Sequence, residues 1–153
     1  MLLRAFAKLN LDLRIDGLRP DGYHDVQTTL QTIDWHDEIL VDPAPTFEFS
    51  ATKGPEDETN LVVRAVRAYE QVAKVKADVR IRLTKHVPIG RGLGGGSAGA
   101  AVTFMGLQRL YKRTLDPEEV FQALRTLGSD VPFFTIAGRC IGLGRGDEIQ
   151  AIK

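Results

Sequence analysis

Between Pro88 and Ala101 the chain reads P-I-G-R-G-L-G-G-G-S-A-G-A-A, and six of the ten residues from Gly90 to Gly99 are glycine. Ordering a glycine costs roughly 0.5–1 kcal/mol more than ordering an alanine, so a run held still needs something to offset several kcal/mol. Its position suggests what that is. The run follows a predicted strand and opens a predicted helix near Ser97. The first turn of a helix carries unpaired N–H groups and the positive end of the dipole. With no Cβ atoms in the way, an anion can reach those N–H groups, and a phosphate chain is the natural guest. A flexible strand-to-helix connection is the competing reading.

Two common phosphate loops fit poorly. Gly90, Gly92 and Gly95 match G-x-G-x-x-G formally, but a dinucleotide site also needs an acidic residue about 20 positions on, at the end of the next strand. Asp116 has about that spacing but falls where a helix cap is predicted, and the strand before the loop comes late in the chain. The Walker pattern needs a lysine before the serine, and Gly96 stands there. The run is a third kind of nucleotide loop.

Other residues able to do chemistry have plain readings on pattern alone. Lys8 is a strand lysine on an open face, and Asp130 is a turn former or cap just after a helix end. Asn10 reads as a cap or a solvent-facing residue, Tyr23 as a buried staple of its turn and His24 as a surface histidine. Leu61 reads as core and Lys85 as a strand-end charge. His24, His36 and His86 have no metal-binding spacing. Phe133 and Phe134 suit core packing better than base stacking. Cys140, the only cysteine, reads as a small buried residue, so neither an internal disulfide nor a multi-cysteine metal site is possible.

The elements that must position these residues are legible from periodicity. Leu9, Leu11, Leu13 and Ile15 alternate with polar residues, which predicts a half-buried strand. A turn is predicted at Pro20, Asp21 and Gly22. Residues 25–34 predict a second strand, and D-E-I-L-V-D-P and T-F-E-F-S-A two further short ones. Leu61, Val62, Ala65, Val66, Tyr69, Val72 and Ala73 recur at helical spacing, predicting a helix over 60–74. Val79, Ile81 and Leu83 alternate with Arg80, Arg82 and Thr84 in a strand expected to end at Pro88. A helix follows the glycines. Asp116, Pro117 and Glu119 start another, as cap, first-turn proline and acidic third residue. Val120, Phe121, Leu124 and Leu127 form its apolar stripe, and Gly128 suits its end. The tail predicts a hairpin turning at Gly144 to Gly146. The fold class is α+β, with helices on one face of a mixed sheet.

Composition sets outer bounds. The 153 residues suit one domain, 43% hydrophobic and 26% charged. Twenty basic residues balance twenty acidic ones, so nothing suggests nucleic-acid binding or a polybasic membrane contact. No run approaches the roughly 20 apolar residues of a membrane span. The start, M-L-L-R-A-F-A-K-L-N-L, is interrupted by Arg4 and Lys8 and does not read as a secretory signal. A cytoplasmic location is the default expectation.

The glycine stretch resembles the P-x-G-x-G-L-G-G-G-S-S-x-A-A loop of the GHMP kinases. A-K-L-N-L-D-L and R-P-D-G-Y-H-D-V-Q-T are similar to the N-terminal motif of the 4-diphosphocytidyl-2-C-methyl-D-erythritol kinases of that family, isoprenoid-precursor enzymes. L-G-S-D-V-P-F-F with the following G-R-G-D-E turn resembles a second motif, and E-T-N-L-V-V-R-A the family's D-N-L-x-x-R-A helix start. The resemblance spans nearly all of residues 5–149 in order. It implies a domain like that of ribosomal protein S5, with residues 1–153 as the N-terminal ATP-binding domain and the family's second domain absent from the chain. It implies ATP with its Mg²⁺ and a cytidine diphosphate-linked methylerythritol as substrates, phosphorylated on the 2-hydroxyl. Oligomeric state is not implied. By the same resemblance Lys8 and Asp130 are the catalytic pair, and Asn10, Tyr23 and His24 line the substrate pocket. Asn60, Leu61 and Lys85 lie near adenine. Pro88, Gly90, Gly92, Leu93, Gly94, Gly95, Gly96 and Ser97 form the ATP loop. Ala98 and Gly99 depart from the family's Ser-Asp or Ser-Asn, removing a hydroxyl, and Leu30 stands where an aromatic is common. Another GHMP kinase, a non-catalytic nucleotide-binding module and a ligand-free structural domain are the alternatives; D-G-Y-H and S-D-V-P-F-F weigh against the first, and Lys8 and Asp130 against the last.

Overall fold

A computed structural model describes the chain apart from Arg19, Asp21, Tyr23 and Lys153. The predicted turn after the first strand therefore falls partly outside the described residues, and Tyr23 wholly so. Ten elements follow in order. They are β1 (Leu2–Leu18), β2 (His24–Pro43), β3 (Glu48–Ala51), α1 (Leu61–Ala73), β4 (Val79–Thr84), α2 (Gly95–Leu110), α3 (Pro117–Leu127), α4 (Phe133–Ile136), β5 (Arg139–Leu143) and β6 (Glu148–Ala151). The sheet is mixed. β2 is its spine, pairing antiparallel with β1 along one edge and with β4 and β5 along the other. β3 joins β4 in parallel, and β6 joins β5 antiparallel.

The helices form where local signals place them. Asn60 caps α1, its side chain accepting from the Val62 amide at 3.0 Å. Asp116 caps α3 by accepting from the Glu118 and Glu119 amides. Gly128 ends α3 as expected, but with an extended φ of 162° rather than the left-handed one common at such ends. α2 packs on β1 and β2, α1 packs on α2, and α3 leans on both helices. Gly96 and Gly99 of α2 face Leu61 and Val62 of α1 and let the helices come close, and Phe104 meets Tyr69 edge-on at 5.6 Å in the middle of the core. Cys140 is fully buried, donates to the Ala137 carbonyl, and burial pushes its thiol pKa up. Phe133 and Phe134 are core residues too.

Three expectations are corrected. The second and third predicted strands are one, β2, because β1 pairs with both halves. The gap that the predicted strands left at Trp35 and His36 is not a break; it is an irregularity, where Ala7 of β1 faces three residues of β2 between the Phe6–His36 and Lys8–Thr32 pairs. β4 stops at Thr84, short of Pro88, because the Asp37 side chain takes the next two available amides, His86 and Val87. The first strand is not half-buried where predicted. Leu9, Leu11, Leu13 and Ile15 are 42–59% exposed, since α2 lies over the other end of β1, near Leu3 and Lys8. Among the described residues no helix is long and apolar enough to cross a membrane.

Phe104→Ala removes the ring at the centre of the helix–sheet layer, and a loss of about 3–5 kcal/mol is expected in urea unfolding.

Candidate active site

The glycine stretch makes a turn-rich approach to α2. Gly90, Gly92 and Gly94 have φ of 72°, 72° and 69°. Alternating left-handed residues curl a backbone so that successive N–H groups converge, which is the geometry of an anion-binding nest. Gly94 is the N-cap of α2 and has no side chain with which to cap. The nest thus runs directly into the unpaired amides of the first helical turn.

Beside it lies a cleft of about 350 Å³. All eleven residues predicted for ATP line it: Asn60, Leu61, Lys85 and the eight of the loop, Pro88, Gly90, Gly92, Leu93, Gly94, Gly95, Gly96 and Ser97. Asn60 and Leu61 come from the start of α1, where the Asn60 amide also donates to the Pro55 carbonyl at 2.8 Å. Lys53 and Arg91 line the cleft as well. Periodicity could not have found them, because each is a lone cation in a loop.

On the far side of Gly94 stands the second group. Lys8 is only 5% exposed, against the solvated face that pattern alone suggested. Its backbone N–H donates to the Leu93 carbonyl at 2.9 Å, which ties β1 to the glycine loop. Its ammonium donates to Asn10 Oδ1 at 2.5 Å and lies 3.4 Å from Asp130 Oδ2. Asp130, in the turn between α3 and α4, keeps 39% of its side chain exposed. A Cβ on Gly94 would fall 2.6 Å from Phe134 Cζ and 3.0 Å from Lys8 Cγ. The structure therefore brings Lys8, Asn10 and Asp130 together against the loop. His24 lies at the exposed tip of the β1–β2 hairpin, opposite Leu18. It is six residues along β2 from Leu30, the partner of Asn10, or roughly 20 Å at the usual rise.

A second ion pair lies on the cleft side. The Lys85 ammonium meets Asp37, and both side chains are buried. Asp37 also accepts from the His86 and Val87 amides at 2.7 and 2.8 Å. A Cβ on Gly95 would come within 3.1 Å of Lys85 Nζ, so the pair sits directly beneath the first turn of α2.

The family model described as "GHMP kinases N terminal domain" matches residues 60–138, which is 79 of the 153 residues. The chain belongs to the GHMP kinase family. It is 44% identical over 149 residues to the 4-diphosphocytidyl-2-C-methyl-D-erythritol kinase of Solibacter usitatus, covering 96% of this chain and 47% of that one. It is 40% identical to the Chlorobium chlorochromatii enzyme of the same name, covering 100% of this chain and 54% of the relative. A crystal structure of 4-(cytidine 5'-diphospho)-2C-methyl-D-erythritol kinase superposes with a TM-score of 0.87 at 37% identity, over 99% of this chain and 55% of that one. The Methanococcus jannaschii mevalonate kinase, at 14% identity and TM-score 0.74, shares the fold. The chain spans about half the length of the curated relatives it matches.

As a GHMP kinase domain the chain has local peculiarities that its packing explains. Gly99 faces α1, and a Cβ there would lie 3.1 Å from Val62 Cγ2, so a larger side chain would have to push that methyl aside. Ala98 is fully buried and Leu30 is 2% exposed in the core beneath the sheet. Sequence reasoning missed Thr28 and Asp37. Both read as ordinary residues of predicted strands, and their contacts reach 16 to 50 residues away along the chain.

Gly94→Ala would add left-handed strain and push on Phe134 and Lys8, whereas Gly90→Ala would add strain with nothing within 4 Å of the new methyl. We expect Gly94→Ala to lose about 1–3 kcal/mol in chemical unfolding and to lose more than Gly90→Ala. Asp37→Ala leaves the buried Lys85 ammonium without its carboxylate, and about 3–5 kcal/mol should be lost in the same measurement.

Proposed function

We propose that this chain is the N-terminal, ATP-binding domain of a kinase that transfers the γ-phosphoryl group of ATP to the 2-hydroxyl of 4-diphosphocytidyl-2-C-methyl-D-erythritol, a step of non-mevalonate isoprenoid-precursor synthesis. One observation carries the reading: the Lys8–Asp130 pair stands at the end of a glycine nest whose other side is a nucleotide-sized cleft. The relatives named above support the choice of substrate.

Phosphoryl transfer asks mainly for alignment and charge compensation. In this reading Leu61, Val62, Leu83 and Ile89 give the cleft an apolar wall for the adenine ring, with Asn60 and Lys85 at its polar margin. The loop amides and the start of α2 receive the phosphates. No group of three or more His, Cys, Asp or Glu side chains is gathered for a metal among the described residues. Mg²⁺ would arrive with ATP and offset phosphate charge. Asp130 takes the proton of the acceptor hydroxyl as its oxygen bonds to the γ-phosphorus, and the bond to the bridging oxygen breaks to release ADP. The Lys8 ammonium, 3.4 Å from that carboxylate, counters charge building on the transferred group. Asn10, Tyr23 and His24 are assigned to the cytidine-bearing substrate.

The test is ADP formation by the protein with MgATP and the candidate alcohol. Turnover supports the kinase, ATP binding without turnover would instead mark a nucleotide-binding module, and the absence of both would mark a structural domain. In Asp130→Asn, turnover should fall by roughly 10²–10⁴-fold while ATP affinity persists. Full activity in that variant would refute the assignment.

A further inference from the structure

We infer that Thr28 is a positioning residue for the Lys8–Asp130 pair, acting by fixing which way the Asn10 amide points; this deepens the kinase reading above and rests on it. Thr28 lies on β2 and is 4% exposed. Its hydroxyl donates to the Asp12 carbonyl at 2.6 Å. A hydroxyl has one proton, so with that proton committed Thr28 Oγ1 can only accept from Asn10. The Asn10 Nδ2 group donates to it at 2.8 Å. The amide is thereby turned so that Oδ1 faces the Lys8 ammonium, which donates to it at 2.5 Å. Donation runs one way along the chain, from Lys8 to Asn10 to Thr28 to the Asp12 carbonyl.

Each end of this relay is held. Leu11 is an extra residue in β1, between the Asn10–Leu30 and Asp12–Thr29 pairs, so Thr28 ties the two sides of a bulge together. The Asp12 carboxylate is locked in turn, accepting from the Thr29 amide at 2.7 Å and the Thr29 hydroxyl at 2.8 Å. The Thr28 methyl rests against Gly142 of β5, 3.2 Å from where a Cβ would be. A β-branched side chain wedged on one side has little rotameric freedom, so the hydroxyl stays on Asp12. Without that hydroxyl the Asn10 amide can turn over, presenting NH₂ to an ammonium that cannot accept, and Lys8 loses a partner that holds it beside Asp130.

The experiment compares the full chain as wild type, Thr28→Val and Thr28→Ser, with Thr28→Ala replacing the valine variant if that does not fold. The Asn10 side-chain amide is followed by NMR, and ADP formation with MgATP and the candidate alcohol is fitted for kcat and for each KM. The valine variant should lose the ordered Asn10 amide signal, with kcat down roughly tenfold to a hundredfold and the KM for ATP within about twofold of wild type. The serine variant, which keeps the hydroxyl, should restore both. An Asn10 amide unchanged in Thr28→Val, a kcat loss that serine does not rescue, or a KM for ATP rising with the fall in kcat would overturn the proposal. If wild type transfers no phosphate, the kinase reading fails by itself, and the amide signal alone decides whether Thr28 orients Asn10.

Discussion

The structure turns on a close approach between β1 and the glycine loop. The Lys8 N–H bonds to the Leu93 carbonyl, and the next residue, Gly94, lies against the stem of Lys8 and the ring of Phe134. Any side chain at Gly94 would force these apart. What the missing Cβ makes possible is a lysine that leaves the sheet, passes under a phosphate-type loop and presents its ammonium on the far side. A buried ammonium is costly unless it is paired and hydrogen-bonded. Asn10 and Asp130 meet that requirement, and so β1, the loop and the turn after α3 must all arrive at one point. The irregularities in β1 on either side of Lys8 and Asn10 aim them there.

Helix positions were legible because their signals are local. Asn60 and Asp116 cap through amides two and three residues away, and the 3.6-residue stripes of α1 and α3 meet the core directly. β4 was legible in its alternation, with Val79, Ile81 and Leu83 all buried. The continuity of β2 was not, because what keeps the strand whole through Asp34–Asp37 is pairing with a distant β1. Exposure of the outer half of β1 was likewise hidden. Alternation says that one face of a strand is apolar and does not say what covers it.

The site divides along the same line. The glycine loop announced itself by composition, since glycine takes the left-handed backbone at positions 90, 92 and 94 without the strain another residue would carry. Lys8 and Asp130 carried no such signature. A strand lysine and a turn aspartate are common, and 122 positions separate them in the chain. Resemblance singled them out, and the fold brings their side chains within 3.4 Å of each other. Thr28 and Asp37 had neither composition nor motif to mark them. Each matters through hydrogen bonds made possible only by the final packing.

The two ion pairs flanking the loop are chemically unlike, and the difference lies in their acids. Asp37 has its side chain 1% exposed and is held by an ammonium and two backbone amides. It is saturated, and moving it would uncouple β2 from the lead-in to the loop. Asp130 has its side chain 39% exposed and faces Lys8 at 3.4 Å, a looser contact. A carboxylate that must accept a proton from an incoming hydroxyl needs an open lone pair and a path from solvent, and Asp130 alone of the two has that. Both lysines are nearly buried, and each is neutralised before any ligand arrives. A polyphosphate entering the cleft would therefore meet main-chain amides set by glycine geometry together with the Lys53 and Arg91 side chains that line it.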